Sequence, residues 1–292
     1  MSSSPICLAA LGFGYCARHL VARHPAAFPR VIGTARTAER LAGLPAGVAP
    51  HLFDGESLSQ DLSPALKAAE VLLVSAPPDE RGDPVLRCAR TVLAEGGLRQ
   101  VVYLTTLGVY GDHGGAWVDE TTPPRAGSPR LERRLKAEEE WLAFGRAGGV
   151  PVAVLRLAGI YGPGRNALVQ LKAGEARRID KPGQVFNRIH VDDIARTILA
   201  VVDQRFGGIV NVTDDLPASP ADPIAYAAEL LGVPVPPAIP FAEAARTMSP
   251  MALTFWAGNK RVANARLKDE LGVRLAFPTY REGLRALHAA GA

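Results

Sequence analysis

Gly12-Phe13-Gly14-Tyr15-Cys16-Ala17 carries the spacing G-x-G-x-x-A. It follows an apolar run, Ile6–Leu11, and opens a helical pattern, the context in which such a turn cradles a pyrophosphate. Each small residue has its own task. Gly12 allows the tight turn, Gly14 lets the backbone approach an anion, and Ala17 lets helix and strand pack closely. Phe13, Tyr15 and Cys16 fill the positions between them, at the amides and dipole of a helix N-terminus. No GK[ST] follows, which excludes a phosphate loop of the NTPase kind. The end of the second apolar run, Val31–Arg36, selects the cofactor. An acid about 20 residues on would hold a ribose 2′-hydroxyl. The run ends instead in Arg36, whose guanidinium suits a 2′-phosphate. NADP is therefore expected ahead of NAD. Asp54, after a third run, is placed to accept from the adenine amino group.

Other chemistries find little support. Cys7, Cys16 and Cys88 are far apart and odd in number, and the six histidines form no ligand pair, so neither a disulfide framework nor a metal is expected. Net charge is +4, and the densest basic run, Arg130–Lys136, leads straight into Glu138-Glu139-Glu140, the pattern of a solvated helix face. Nucleic-acid binding is not expected. No apolar run is long enough to span a membrane, and the start MSSSPICLAALGFG lacks a basic leader region, so the expected location is cytoplasmic.

The elements that position these residues follow from 292 residues of which 48% are hydrophobic. Apolar runs without alternation recur at Ile6–Leu11, Val31–Arg36, Val48–Phe53, Val71–Ser75, Gln100–Thr106 and Val152–Leu157. Helical patterns separate them, at Val85–Ala94 and at Arg130–Phe144, the second closed by Gly145. Such strands are buried on both faces. The predicted fold is α/β: a doubly wound parallel sheet (Rossmann) with a smaller, discontinuous C-terminal substrate lobe. The first domain is assigned 1–160 and about 190–215, and the lobe about 161–189 and 216–292. Later helices are expected at Asp193–Val202, Ile224–Leu231, Asn259–Leu271 and Thr279–His288, with a strand at Ile209–Val212.

Three further segments carry a family resemblance. Val101–Asp112 (VVYLTTLGVYGD), Val154–Gly164 (VLRLAGIYGPG) and Asn187–Ala195 (NRIHVDDIA) resemble, in order, the fifth strand, sixth strand and late HVDD motif of extended short-chain dehydrogenases/reductases. The similarity is to the NAD(P)-dependent epimerase/dehydratase-like and atypical members. The resemblance implies that Thr106 binds the substrate oxygen and that Thr105, Ile160 and Ser75-Ala76-Pro77 lie along the cofactor. It implies that Arg165, Asn187 and Arg188 cover a small-molecule substrate; two arginines there suit an anion. It also implies a homodimer through Arg130–Phe144 and Val85–Ala94, and Asp192 or Asp193 plausibly caps the helix that follows.

The family's Tyr-x-x-x-Lys pair is missing, because no tyrosine lies between Tyr110 and Tyr161. One alignment puts Arg130 and Arg134 at the two positions; a two-residue slip puts Glu132 and Lys136 there. Arg134 retains donors for a ribose hydroxyl, but Arg130 is too basic to cycle a proton. Asp112 and His113, just beyond the fifth strand, are local substitutes to weigh. Three readings stay open: an oxidoreductase with an atypical site, an inactive NADP(H)-sensing regulator or scaffold, or a dead fold whose site is closed to the cofactor.

Overall fold

A computed structural model describes residues 6–291; the reading of the extreme N-terminus falls mostly on residues 1–5, outside that range. In chain order the elements are β1 (Cys7–Leu11), α1 (Tyr15–Arg23), β2 (Arg30–Ala35), α2 (Ala38–Ala42), β3 (Val48–Leu52), α3 (Leu62–Lys67), β4 (Val71–Val74), α4 (Pro84–Ala94), β5 (Gln100–Thr106), β6 (Trp117–Val118), α5 (Pro129–Gly148), β7 (Val152–Leu157), β8 (Gly159–Tyr161), α6 (Ala167–Lys172), β9 (Ile179–Asp180), β10 (Arg188–His190), α7 (Val191–Gln204), β11 (Gly208–Val212) and α8 (Asp222–Leu231). Short elements then lead to a last helix at Tyr280–Ala289. Among the described residues, no helix is long and apolar enough to cross a membrane.

The chain divides into two units. The first takes residues up to Thr105, Pro129–Arg156 and Ala195–Val210; the second takes Thr106–Ser128, Leu157–Ile194 and everything from Asn211 on. The segment Thr106–Ser128 thus sits with the second unit, whereas the sequence reading keeps it in the first.

The first unit is built on a seven-stranded sheet in the order β11-β7-β5-β4-β1-β2-β3. β1 pairs in parallel with both β2 and β4. The chain therefore runs outward from β1 to β3 and returns past β1 to β4. That reversal opens a crevice beyond the carboxyl ends of β1 and β4, the place where such sheets bind ligands. β1, β4 and β7 are buried along their whole length, which explains their unbroken apolar sequences. Tyr103, Trp141 and Phe144 fill the core beneath α4 and α5. Asp83 ties those helices together: its Oδ1 accepts from the amides of Val85 and Leu86, both at 2.9 Å, and its Oδ2 accepts from Trp141 Nε1 at 3.1 Å.

α5 does not stop at Gly145. It continues to Gly148, because Gly145 serves close packing: a Cβ there would lie 2.5 Å from Val152 Cγ2 and 2.6 Å from the Val150 carbonyl oxygen.

In the second unit α6, α8 and the Tyr280–Ala289 helix enclose a core of Tyr161, Leu168, Ile224 and Leu284. β8 pairs with β10, and β6 pairs with Arg261–Val262, both in parallel. The second pairing corrects the expected helix at Asn259–Leu271, which shortens to Ala265–Asp269. Arg261 and Val262 take their backbone partners from Trp117 and Val118 instead. Asp193 lies within the first turn of α7, where His190 Nδ1 accepts from the Asp192 amide at 3.1 Å. Asp193 is fully buried and accepts from the amides of Ala276 (2.7 Å) and Phe277 (3.1 Å), tethering that stretch of chain.

Candidate functional site

The crevice of the first unit is a cleft of about 610 Å³ lined by Gly12, Phe13, Gly14, Arg18, Arg36, Arg40, Asp54, Ser75, Ala76 and Pro77, among others. Gly12 has φ +89°, and a Cβ on it would stand 2.9 Å from Ser75 Oγ and 3.0 Å from the Ala76 amide nitrogen. Only glycine fits that turn. Gly14 is the N-cap of α1 and supplies no side-chain cap. A Cβ there would meet nothing nearer than the Gly12 carbonyl at 3.9 Å. The protein's own packing does not require that glycine. The space in front of it stays open to an approaching group. Thr34 fixes the turn by accepting from the Gly12 amide at 3.0 Å, and Ser75 Oγ donates to the Gly12 carbonyl.

Three arginines give the cleft its sign. Arg18 donates to the Gly43 carbonyl at 2.7 Å and lies over the Phe13 ring. Arg36 and Arg40 are exposed, and among the described residues neither guanidinium has an acidic partner. Asp54 Oδ1 is occupied by the Glu56 amide at 2.8 Å. The sequence pointed to Arg36 and missed Arg18 and Arg40, whose positions depend on α1 and α2 converging on the turn. Tyr15, Cys16 and Ala17 lie in the first turn of α1 but do not line the cleft. These features fit a dinucleotide: a glycine turn open to an anion, a helix N-terminus, and unpaired cations at the end of β2.

Thr105, expected beside the cofactor, is buried and faces elsewhere. Its hydroxyl donates to Glu138 Oε1 at 2.9 Å, and Glu138 Oε2 accepts from Arg156 Nε (3.1 Å) and Nη2 (2.8 Å). Glu138 is 2% exposed and Arg156 3%. Burial pushes the Glu138 carboxyl up, while the guanidinium and the hydroxyl oppose that shift. The sequence pattern gave Glu138 to a solvated face, which was wrong for this one member of the triple-Glu run. A signal was present: Arg156 sits inside an otherwise apolar strand and needs a buried partner. Glu138 also sets the rotation of α5. Arg130 and Arg134, spaced by four ahead of Glu138, are half-buried, whereas Glu132 and Lys136 are exposed. Burial and the Arg134 charge both lower the Arg130 pKa.

Thr106 opens the second unit. Its Oγ1 accepts from the Gly108 amide at 3.1 Å, capping the turn Leu107–Tyr110. The substitutes near it are committed to the fold. Asp112 accepts from the amides of Gly114 and Asn259, which hold its carboxyl below the usual range. A ring nitrogen of His113 bonds the Tyr110 carbonyl at 3.0 Å. Tyr110 donates to Asn211 Oδ1 at 2.9 Å, and Tyr161 to the Thr279 carbonyl at 3.3 Å. Burial raises the hydroxyl pKa of Tyr103 and Tyr161 far above the physiological range.

The second unit has its own cavity, of about 530 Å³, lined by Ile160, Arg165, Asn187 and Arg188 among others. Ile160 therefore faces this cavity and does not line the cleft of the first unit. Asn187 is spent on the fold: Nδ2 donates to the Lys260 carbonyl at 3.0 Å and Oδ1 accepts from the Val262 amide at 2.9 Å. Nearby, Asp214 is 1% exposed, and burial pushes its carboxyl up to about 8 against the attraction of Arg188. A folded-state pKa above the unfolded value means the native state binds the extra proton, so stability falls as pH rises from about 4 to about 8. Asp214→Asn is expected to flatten that slope and raise the melting temperature at pH 8 by several degrees, measured by thermal denaturation from pH 4 to 9. An unchanged slope would place the titration elsewhere.

Comparison with known proteins agrees with this architecture. A model of the NAD dependent epimerase/dehydratase family matches residues 83–213. A solved structure from Methylobacillus flagellatus, classed provisionally as an NAD-dependent epimerase/dehydratase, is 28% identical with TM-score 0.71 and covers 99% of both chains. The chain is thus similar, in fold and over residues 83–213, to NAD-dependent epimerases/dehydratases of the extended short-chain dehydrogenase/reductase type. A structure of unknown function from Silicibacter pomeroyi is 47% identical, with TM-score 0.87 over 97% of this chain and 98% of that one. Among curated proteins, a Streptomyces 3-diazoavenalumate denitrifying reductase is 29% identical over 174 residues, 58% of this chain and 55% of the reductase. The chain thus spans about half the length of that relative.

Proposed function

We propose that this protein is an NADP(H)-dependent oxidoreductase that works without the tyrosine of its relatives. The observation that carries the reading is the arginine-lined cleft at the reversal of the sheet, with a glycine turn open to an anion. Arg36 takes the 2′-phosphate, Arg18 and Arg40 add to the positive field, Gly14 admits the pyrophosphate, and Asp54 accepts from the adenine amino group. NAD is the competing cofactor. The bound nicotinamide supplies the hydride chemistry. Arg134 donates to a ribose hydroxyl. Thr106 accepts one hydrogen bond through its oxygen and keeps its own proton to donate to a substrate oxygen.

Arg130 cannot act as acid or base, Tyr110 and Tyr161 spend their hydroxyls on Asn211 and Thr279, and Tyr103 is fully buried. This composition favours acceptors that take a hydride without a proton from the protein, such as cationic or otherwise electron-poor groups. The Streptomyces reductase is named for a diazo substrate, an electron-poor class of that kind.

The test is equilibrium titration with NADPH and NADH, followed by transfer from 4-deuterated NADPH to panels of carbonyl and cationic acceptors. Stereospecific deuterium transfer establishes the enzyme. Tight NADPH binding with no transfer to any acceptor makes the protein a cofactor sensor. Binding of neither nucleotide removes both readings.

A further inference from the structure

We propose that the cavity of the second unit binds a planar aromatic acid whose anionic group is held by Arg188. This names a substrate class for the oxidoreductase inferred above and rests on that reading. Arg188 lies in β10 and lines the cavity. Nη1 donates to the carbonyls of Phe186 (3.1 Å) and Ala218 (3.3 Å), and Nη2 to that of Ser219 (3.1 Å). Three backbone dipoles fix the plane of the guanidinium, and Nε takes part in none of these bonds. Among the described residues, no carboxylate lies within ion-pair distance of it. A desolvated cation supported by dipoles alone lacks its counter-charge. Asp214, the acid that acts on it most, has its own carboxyl pushed up by burial. An anion entering the cavity supplies the missing charge, with a bidentate geometry open to a carboxylate.

The rest of the wall decides what carries that anion. The rings of Phe186 and Trp256 lie 5.0 Å apart, and the Tyr280 ring lies 5.6 Å from the Arg188 guanidinium carbon. With Ile224 and Leu284 they give the cavity an aromatic and apolar side next to the cation. Arg165, Gln170, Glu175 and Arg177 line the cavity as well, but its two asparagines are not available to a ligand. Asn166, like Asn187, is consumed by the fold: Nδ2 donates to the Gly162 carbonyl and Oδ1 accepts from the Val169 amide. An arylcarboxylate asks for one charge and a ring, and the cavity offers both.

The experiment is isothermal titration calorimetry of the full chain with cinnamate, its neutral amide, cyclohexanecarboxylate and UDP-glucose, with and without NADPH. Cinnamate is expected to bind at least tenfold tighter than cinnamamide and severalfold tighter than the non-planar acid. Arg188→Lys should weaken it at least tenfold, Trp256→Leu severalfold, and Lys67→Ala, at an exposed ion pair of the first unit, not at all. If Arg188→Lys fails to fold, Trp256→Leu and the acid–amide pair decide. Equal binding of acid and amide, a preference for UDP-glucose, or no binding of cinnamate overturns the proposal. Because the readout needs no hydride transfer, its outcome is separate from that of the cofactor titration.

Discussion

Glu138→Ala is expected to lower the melting temperature of the first unit by about 6–20 °C, the size of effect that follows when one partner of a buried ion pair is removed at a cost of about 3–5 kcal/mol. The substitution removes the carboxylate to which the Arg156 guanidinium, 3% exposed, donates through Nε and Nη2. It also leaves the Thr105 hydroxyl without its acceptor. The three residues join α5 to β5 and β7, so the loss loosens the seat of the helix that carries Arg134. Replacing both charges, as Glu138→Leu with Arg156→Leu, is expected to recover most of the lost stability, because an apolar pair of similar volume often does as well as a buried ion pair. Thermal denaturation of Glu138→Leu, Arg156→Leu and the double variant forms a cycle that checks this. If Glu138→Ala shifts the transition by less than 2 °C, α5 is held by its apolar face and the network is incidental.

The sheet was readable because its strands are covered on both faces. Val71–Val74 and Val152–Leu157 show no polar alternation, and the glycine turn after β1 marks the start of the winding. Boundaries failed where tertiary packing overrode local punctuation. Gly145 reads as a helix stop, yet it is there because β7 presses against α5. Asn259–Leu271 has a helical composition, but β6 captures Arg261 and Val262. Site residues divide along the same line. Gly12, Gly14 and Arg36 were legible because their tasks are fixed by backbone spacing alone. Asn187 was assigned to the substrate because nothing local reveals that Lys260 and Val262, more than 70 residues away, consume its amide. Glu138 is one of three consecutive glutamates, and only the rotation of α5 distinguishes the buried one.

Arg36→Ala is expected to weaken NADPH binding about 10–100-fold while leaving NADH within about twofold. The magnitude follows from losing hydrogen bonds to a charged group, about 1.5–3 kcal/mol. The selectivity follows from what the 2′-phosphate alone can touch at the end of β2. No acid stands there to hold a free 2′-hydroxyl, and Asp54, the nearest cleft carboxylate in sequence, is bound to the Glu56 amide. Arg36 is exposed, so the measurement belongs at low ionic strength, where screening does not mask the contact. Arg36→Asp should go further and invert the preference, since a carboxylate at this position repels the phosphate and accepts from the ribose hydroxyl. Equal losses for both nucleotides would mean that Arg36 acts on the shared pyrophosphate. A loss confined to Arg40→Ala would move the 2′-phosphate one helical turn further along, onto α2. If neither variant changes either affinity, the arginines are solvated surface and the cofactor is NAD, chosen by the glycine turn alone.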